Sequence, residues 1–379
     1  MRNALALVVA TLALFVEIWT IVPAPNGLLL VPAVVVPEIA PWGVIASALA
    51  LAVVVAWARG RIRVVSVAMC AIALGCALLP LAQLPGTIAA ADRAMRATLG
   101  PTYVRGGGFD VARFFRGPHP PQDIRIERGL PFVTRDGARL ALDLYHAPGA
   151  WPHPAVVVIF GGGWRFGARG DTAGEDRRLA ALGYDVLAVD YRLVPRYRYP
   201  TQVNDVEDAL AAIARNARAW GIDPKRVALL GRSAGGELAL VAGYRHEPVT
   251  IEAVVAYYPP VDLAEGYREP PTPDPANIRK LVSDYLDGTP EAVPAAYRSA
   301  SPLAYVRPGL PPTLLVGGAR DQLVLLRFQR QMRDALLAAH DTVVSLEIPW
   351  SNHAFDSIPE GLGGQLARDY VAQFLNATL

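Results

Sequence analysis

The hexapeptide Gly231-Arg232-Ser233-Ala234-Gly235-Gly236 carries the strongest chemical signal in the chain. It follows the apolar run at residues 227–230 and precedes a helix-like run at 237–244, so Ser233 stands on a strand-to-helix turn. A sharp turn of that kind lifts a hydroxyl clear of a sheet, and its glycines permit backbone that a side chain would block. The helix start aims unpaired N–H groups at developing negative charge. The chemistry to expect is nucleophilic attack on a carbonyl carbon through a covalent intermediate.

A second signal is Phe160-Gly161-Gly162-Gly163-Trp164, which closes the apolar run at 155–159. Backbone N–H groups of Gly162 and Gly163, with that of Ala234, are expected to form an oxyanion hole. The serine also needs a base. Of six histidines, His119 precedes the fold, His146 ends a hairpin arm and His153 sits in a proline-rich turn. His246 follows the nucleophile helix and His340 ends another. His353 differs, because Ser351-Asn352-His353-Ala354-Phe355 falls between the last strand and the last helix, at the sheet edge where the serine should also emerge. The orienting carboxylate is expected after the penultimate strand, where Gly317-Gly318-Ala319-Arg320-Asp321 offers Asp321. Asp356 is the fallback, three residues from His353 and awkward in reach.

The elements that must position these residues read as an α/β domain from residue 122 onward. A hairpin turning at Asp136-Gly137 comes first. Short apolar runs follow at 155–160, 185–189, 226–230, 253–257, 313–316 and 343–348, and helix-like segments separate most of them, notably 202–220 and 323–340, with 363–375 after the last. Buried strands alternating with crossover helices predict a mostly parallel sheet covered on both faces. Residues 262–301 form a long excursion between two strands and could cap the site or run over the surface. Tyr257, Tyr258, Tyr267 and Tyr285 could line an acyl pocket there, or pack.

The first 90 residues have a different character. The chain is 53% hydrophobic and 18% charged, and the excess apolar content lies here. Three runs, at 4–22, 40–57 and 64–84, suit a bilayer crossing of about 20 residues. The run at 28–36 is short and flanked by Pro25, Pro32 and Pro37, so a loop or re-entrant segment is expected. Further apolar runs and the lack of a clear processing site argue against a cleaved signal peptide. Arg2 and the cluster Arg59, Arg61 and Arg63 would share the cytoplasmic side of a three-span bundle, leaving the chain beyond residue 90 outside. Glu17 near the outer end of the first span would snorkel or pair helices. Residues 91–121 read as a connector, with a glycine run at 106–108 and prolines at 118, 120 and 121. Phe109, Phe114 and Phe115 could pack on the domain or rest at the lipid surface, and packing is the expectation.

Some partners are excluded. Removing the four arginines and two glutamates of the first 90 residues leaves 32 basic and 32 acidic residues, so no basic surplus attracts nucleic acid. Cys70 and Cys76 lie in an apolar run, no Cys/His cluster has zinc spacing, and the glycine run at 106–108 lacks the strand and helix of a phosphate loop. No cofactor or metal is expected.

Residues 122–379 resemble the α/β-hydrolase superfamily, specifically the hormone-sensitive-lipase-like esterases and their bacterial relatives. The matching pieces are FGGGW at 160–164, VDYRL at 189–193, GIDPKRVALLGRSAGG at 221–236, SPLAYV at 301–306, GGARDQL at 317–323 and NHAF at 352–355. The resemblance implies a catalytic triad of Ser233, Asp321 and His353. The chain departs from it at Phe160, where the family commonly has histidine, and at Arg232, where its esterases often have aspartate. The expected reaction is hydrolysis of a small-molecule or lipid ester by a membrane-attached enzyme. An acyltransferase or amidase could use the same residues, and a catalytically inactive binding protein could keep the same shell.

Overall fold

Strands buried on both faces have no polar side to show, which is why they read as continuous apolar runs. The computed structural model describes residues 1–104, 108–245 and 249–379, and of Thr102 only the backbone. His246 and residues 105–107 of the connector lie outside the described residues. In chain order the elements are α1 (Arg2–Glu17), α2 (Gly27–Glu38), α3 (Ala40–Trp57), α4 (Gly60–Leu99), α5 (Val111–Arg116), β1 (Ile126–Arg135), β2 (Ala138–Tyr145), β3 (His153–Ile159) and α6 (Ala173–Ala181). Then follow β4 (Asp185–Val189), α7 (Thr201–Trp220), β5 (Ile222–Arg232), α8 (Ala234–Tyr244), β6 (Ile251–Tyr257), α9 (Leu263–Arg268), α10 (Ile278–Leu286) and α11 (Pro294–Ala300). The chain closes with β7 (Thr313–Gly318), α12 (Leu326–Ala338), β8 (Val343–Ile348) and α13 (Leu362–Thr378).

Among the described residues, eight strands form one sheet in the order β1-β2-β4-β3-β5-β6-β7-β8. The expected hairpin supplies the antiparallel edge, β1 on β2 and β2 on β4, and all other pairs are parallel. One core cluster fills the face that carries α7, α8 and α12, and a second fills the face that carries α6 and α13. Register decides where the chemistry goes. Ile159 pairs with Gly231, so the chain leaves β3 beside the turn that leaves β5. Gly318 pairs with Ile348, so the loops after β7 and β8 emerge together.

Three helical stretches, Arg2–Thr20, Ala40–Trp57 and Gly60–Leu99, are long and apolar enough to cross a membrane. They present large apolar side chains outward, among them Leu12, Leu49 and Val64. Glu17 is buried against α3, where a side chain at Gly43 would fall 2.7 Å from its carboxylate. It lies between the helices and does not reach for water.

Two expectations about this region need correction. Of the readings of residues 28–36, the loop is overturned, since they belong to helix α2, which is 12 residues long and shorter than a span, in spite of Pro32 and Pro37 inside it. An interior proline costs a helix about 3 kcal/mol. Here Asn26 caps the start by accepting from the Leu29 N–H, and Glu38 anchors the end in the domain. The third apolar run also does not stop at residue 84. Helix α4 has 40 residues, about 60 Å at 1.5 Å per residue and twice a bilayer core. Its second half, which includes residues 91–99 of the expected connector, is packed into the domain. Met95 and Ala91 join the core under β8, and the hydroxyls of Tyr103 and Tyr370 both donate to Asp92 Oδ1, at 2.5 and 2.9 Å. The short α5 buries Phe114, while Phe115 meets Trp42 of α3 edge-on at 4.8 Å.

Candidate active site

Ser233 occupies the junction of β5 and α8 with φ 52° and ψ −119°, a left-handed conformation that non-glycine residues seldom adopt. The turn is pressed so hard onto the sheet that only glycine fits beside it. A Cβ at Gly231 would fall 2.0 Å from the Gly235 carbonyl oxygen, and one at Gly235 would fall 2.2 Å from that of Ile159. His353 Nε2 lies 2.9 Å from Ser233 Oγ, and His353 Nδ1 lies 2.8 Å from Asp321 Oδ2. A carboxylate only accepts, so Nδ1 carries the proton and Nε2 accepts from the serine hydroxyl. The other Asp321 oxygen accepts from the Leu323 and Val324 N–H groups, each at 2.8 Å, which fixes the carboxylate plane.

The glycine loop after β3 lies over this group. Gly162 has φ 117° and Gly163 φ 58°, and a side chain at Gly162 would fall 2.3 Å from the Phe166 carbonyl oxygen. Gly162, Gly163, Ser233, Ala234 and His353 all line one cavity of about 710 Å³. Its remaining walls are largely apolar and include Leu263, Ile278, Leu281 and Val282 from the 262–301 excursion. Among the described histidines, only His353 reaches this cavity. His146 faces Glu127, and the exposed His119 faces the Gly117 carbonyl.

The two departures from the resembled pattern have structural substitutes. Phe160 stacks on Tyr191 at 4.1 Å, and the Tyr191 hydroxyl donates to the Phe160 carbonyl at 3.0 Å, so the glycine loop is pinned without a histidine. Arg232 Nε donates to Asp356 Oδ2 at 2.5 Å, and the Tyr258 hydroxyl donates to Asp356 Oδ1. Both oxygens of Asp356 are thereby engaged elsewhere, and the carboxylate that meets His353 is that of Asp321. Tyr258, with φ 38°, packs its ring 4.4 Å from the imidazole.

Sequence reasoning missed Trp164 and Glu237. The Trp164 indole N–H donates to Glu237 Oε2 at 2.9 Å, and its ring stacks on Tyr285 at 4.0 Å, which ties the glycine loop to α8 and α10. Glu237 is the lone charged residue of α8, a helix buried along its whole length. Burial pushes its pKa from 4.5 up to about 8, against the lowering effect of the Trp164 and Tyr285 hydrogen bonds. Above pH 4.5 the unfolded chain loses this proton while the folded chain keeps it. Stability from this group is therefore full at low pH and is lost as pH rises toward 8. Glu237→Gln keeps an acceptor for Trp164 and cannot ionise. Its melting temperature relative to the wild type should rise steadily between pH 5 and pH 8. A constant difference over that range, measured by thermal melts in detergent, would show that Glu237 does not titrate there.

The BD-FAE family model matches residues 142–336, just over half of the chain. Esterase LipC of Mycobacterium tuberculosis is 32% identical over 272 residues, covering 66% of this chain and 65% of LipC. Esterase LipQ of the same organism is 28% identical over 257 residues, covering 63% and 59%. The chain thus spans less than two thirds of the length of these curated relatives. An esterase from Pyrobaculum calidifontis superposes with a TM-score of 0.60 at 24% identity, over 76% of this chain and 92% of that one, a likeness of fold. With that match over half its length, the chain belongs to the BD-FAE family, and its sheet and helices have the α/β-hydrolase fold.

Proposed function

We propose that this protein is a membrane-anchored serine hydrolase that cleaves carboxylic esters through an acyl-enzyme. The observation that carries the reading is the continuous chain of hydrogen bonds from Ser233 through His353 to Asp321, at 2.9 and 2.8 Å, under a glycine loop. The esterase names of LipC and LipQ support the choice of ester over other acyl compounds.

Ser233 Oγ attacks the ester carbonyl carbon while His353 Nε2 takes its proton. The carbonyl oxygen becomes an oxyanion, held by the N–H groups of Gly162, Gly163 and Ala234. Collapse expels the alcohol, which leaves with the proton from His353, and the acyl group stays on Ser233. Water then gives a proton to His353 and adds to the acyl carbon. Collapse breaks the bond to Oγ, releases the acid and returns the proton to Ser233. Asp321 stays ionised throughout and stabilises the imidazolium.

The apolar cavity favours a lipophilic ester, with the 262–301 helices as a cap over it. The arginine distribution supports a sidedness as well. The Arg59 N–H donates to Asn3 Oδ1 at 3.0 Å, so Arg2, Arg59, Arg61 and Arg63 gather at one end of the helices, while the hydrolase domain meets the other. By the positive-inside rule the domain then lies outside the cytoplasm. Purified full-length protein should hydrolyse aryl esters, with higher kcat/KM for longer acyl chains than for acetate. Intact expressing cells should hydrolyse a membrane-impermeant aryl ester. No turnover in either setting removes the esterase reading. Turnover only after permeabilisation reverses the sidedness.

A further inference from the structure

Two of the three reacting side chains stand on loops, and loops need external support to hold a geometry. Part of that support comes from residues 21–38, which join the first two apolar helices and lie roughly 300 residues away in sequence. Gln322 follows Asp321. Its side-chain amide pairs with the Ala24 backbone in both directions, accepting from the Ala24 N–H at 3.0 Å and donating to the Ala24 carbonyl at 3.2 Å. Gln322 Oε1 also accepts from Asn352 Nδ2 at 3.2 Å, and Asn352 precedes His353. Asn352 Oδ1 in turn accepts from the N–H groups of Gln322 and His353, at 3.1 and 2.7 Å. On the acid's other flank, the Arg320 guanidinium donates to the Ile21 carbonyl.

The second anchor is Glu38, fully buried at the end of α2. Ser351 Oγ donates to its Oε1 at 2.5 Å and the Gly363 N–H donates to its Oε2 at 2.6 Å. The approach is too close for side chains on the domain side. A Cβ at Gly363 would fall 2.9 Å from the carboxylate, and one at Gly361 would fall 2.8 Å from Glu38 Cβ. The histidine loop is thus held from outside at its first residue, and its second residue is bonded to Gln322 of the acid loop.

We propose that residues 21–38 are a positioning element of the active site, in which Ala24 and Glu38 hold the loops of Asp321 and His353 so that seating of the membrane helices sets the geometry of the triad. This rests on the serine-hydrolase reading above. None of these groups touches substrate, so they act through the alignment of His353. A displacement of about 1 Å in a reacting group lowers rates by roughly 100-fold.

The test uses the full chain in lipid nanodiscs, with a soluble aryl ester and a fluorophosphonate probe. Glu38→Ala should lower kcat by about 10–100-fold, leave KM within about twofold and slow labelling in the same proportion. Glu38→Gln keeps an acceptor for the Gly363 N–H and can donate to Ser351 Oγ, so it should recover most of the loss. Gln322→Ala leaves the bonds of Glu38 in place and should show the same kcat loss, which guards against failure of the alanine variant to fold. Unchanged kcat and labelling in Gln322→Ala, with the wild type active, would overturn the positioning role alone. A rise in KM at constant kcat would overturn it too, as would a loss that Glu38→Gln does not relieve. A wild type that neither labels nor turns over ester would instead remove the hydrolase reading, and this inference with it.

Discussion

Replacing Ser233 by alanine should lower ester turnover by about 10⁴-fold or more and abolish fluorophosphonate labelling, with no loss of thermal stability. The size follows from the role proposed for it as nucleophile. Without Oγ there is no nucleophile, so no acyl-enzyme forms, and only the oxyanion site and substrate binding remain to assist water. The absence of a stability loss follows from the local structure. The strain at residue 233 lies in its backbone, at φ 52°, and alanine is held there by the same contacts as serine. The Ser233 N–H still donates to the Tyr257 carbonyl at 2.9 Å, and its carbonyl still accepts from the Glu237 N–H at 3.0 Å. The group released is the hydroxyl, whose partner His353 Nε2 faces the cavity and is free to take water instead. Measured kcat/KM, in-gel labelling and melts of the two proteins side by side decide the matter. Retained turnover in the variant would mean that the hydroxyl at 233 takes no part in the reaction.

The fold class was legible because the parallel strands have no polar face. The runs at 185–189 and 343–348 coincide with β4 and β8. β5 begins earlier than its apolar run, at Ile222, because Asp223, Pro224 and Lys225 mask its edge-exposed start. The meeting of Ser233, Asp321 and His353 could be anticipated from sequence because each follows a strand, and a sheet delivers such positions to one edge. What the sequence hid was support from a distance. Tyr191 and Trp164 are ordinary aromatics until their contacts with Phe160 and Glu237 are seen. Glu237 did leave a signal, a single carboxylate in an apolar helix that ought to have prompted a search for its partner. The pairing of Ala24 with Gln322 left none, since a backbone peptide and a glutamine 298 residues apart carry no pattern. Helix α2 was obscured by prolines and the length of α4 by the return of charge at Asp92. Local composition tracks the surroundings in both cases, and the helix continued where its surroundings changed from the outward-facing apolar helices to the protein core.

Asp321→Asn should leave the fold intact and still lower kcat by about 10⁴-fold, because it reverses the hydrogen-bond polarity of the histidine. Oδ1 of the wild-type residue accepts from two backbone N–H groups, at 2.8 Å each, and the asparagine oxygen will keep that place, since the amide nitrogen has no lone pair to offer. The amide NH₂ must then face His353 Nδ1, where Oδ2 stood at 2.8 Å. A donor facing Nδ1 drives the ring proton to Nε2, which now meets Ser233 Oγ as a donor and cannot take its proton. The negative charge that would stabilise the imidazolium is gone as well. Asp356→Asn supplies the contrast. Its carboxylate is held by Arg232 and Tyr258, so its loss should act through the buried Arg232 left without its counter-charge, and be smaller by at least about tenfold. Steady-state kinetics on the two variants, with melting temperatures as a check on folding, separate the cases. If Asp356→Asn proves the more damaging and Asp321→Asn keeps most of the activity, the carboxylate that orients His353 during turnover is not the one that meets it at rest.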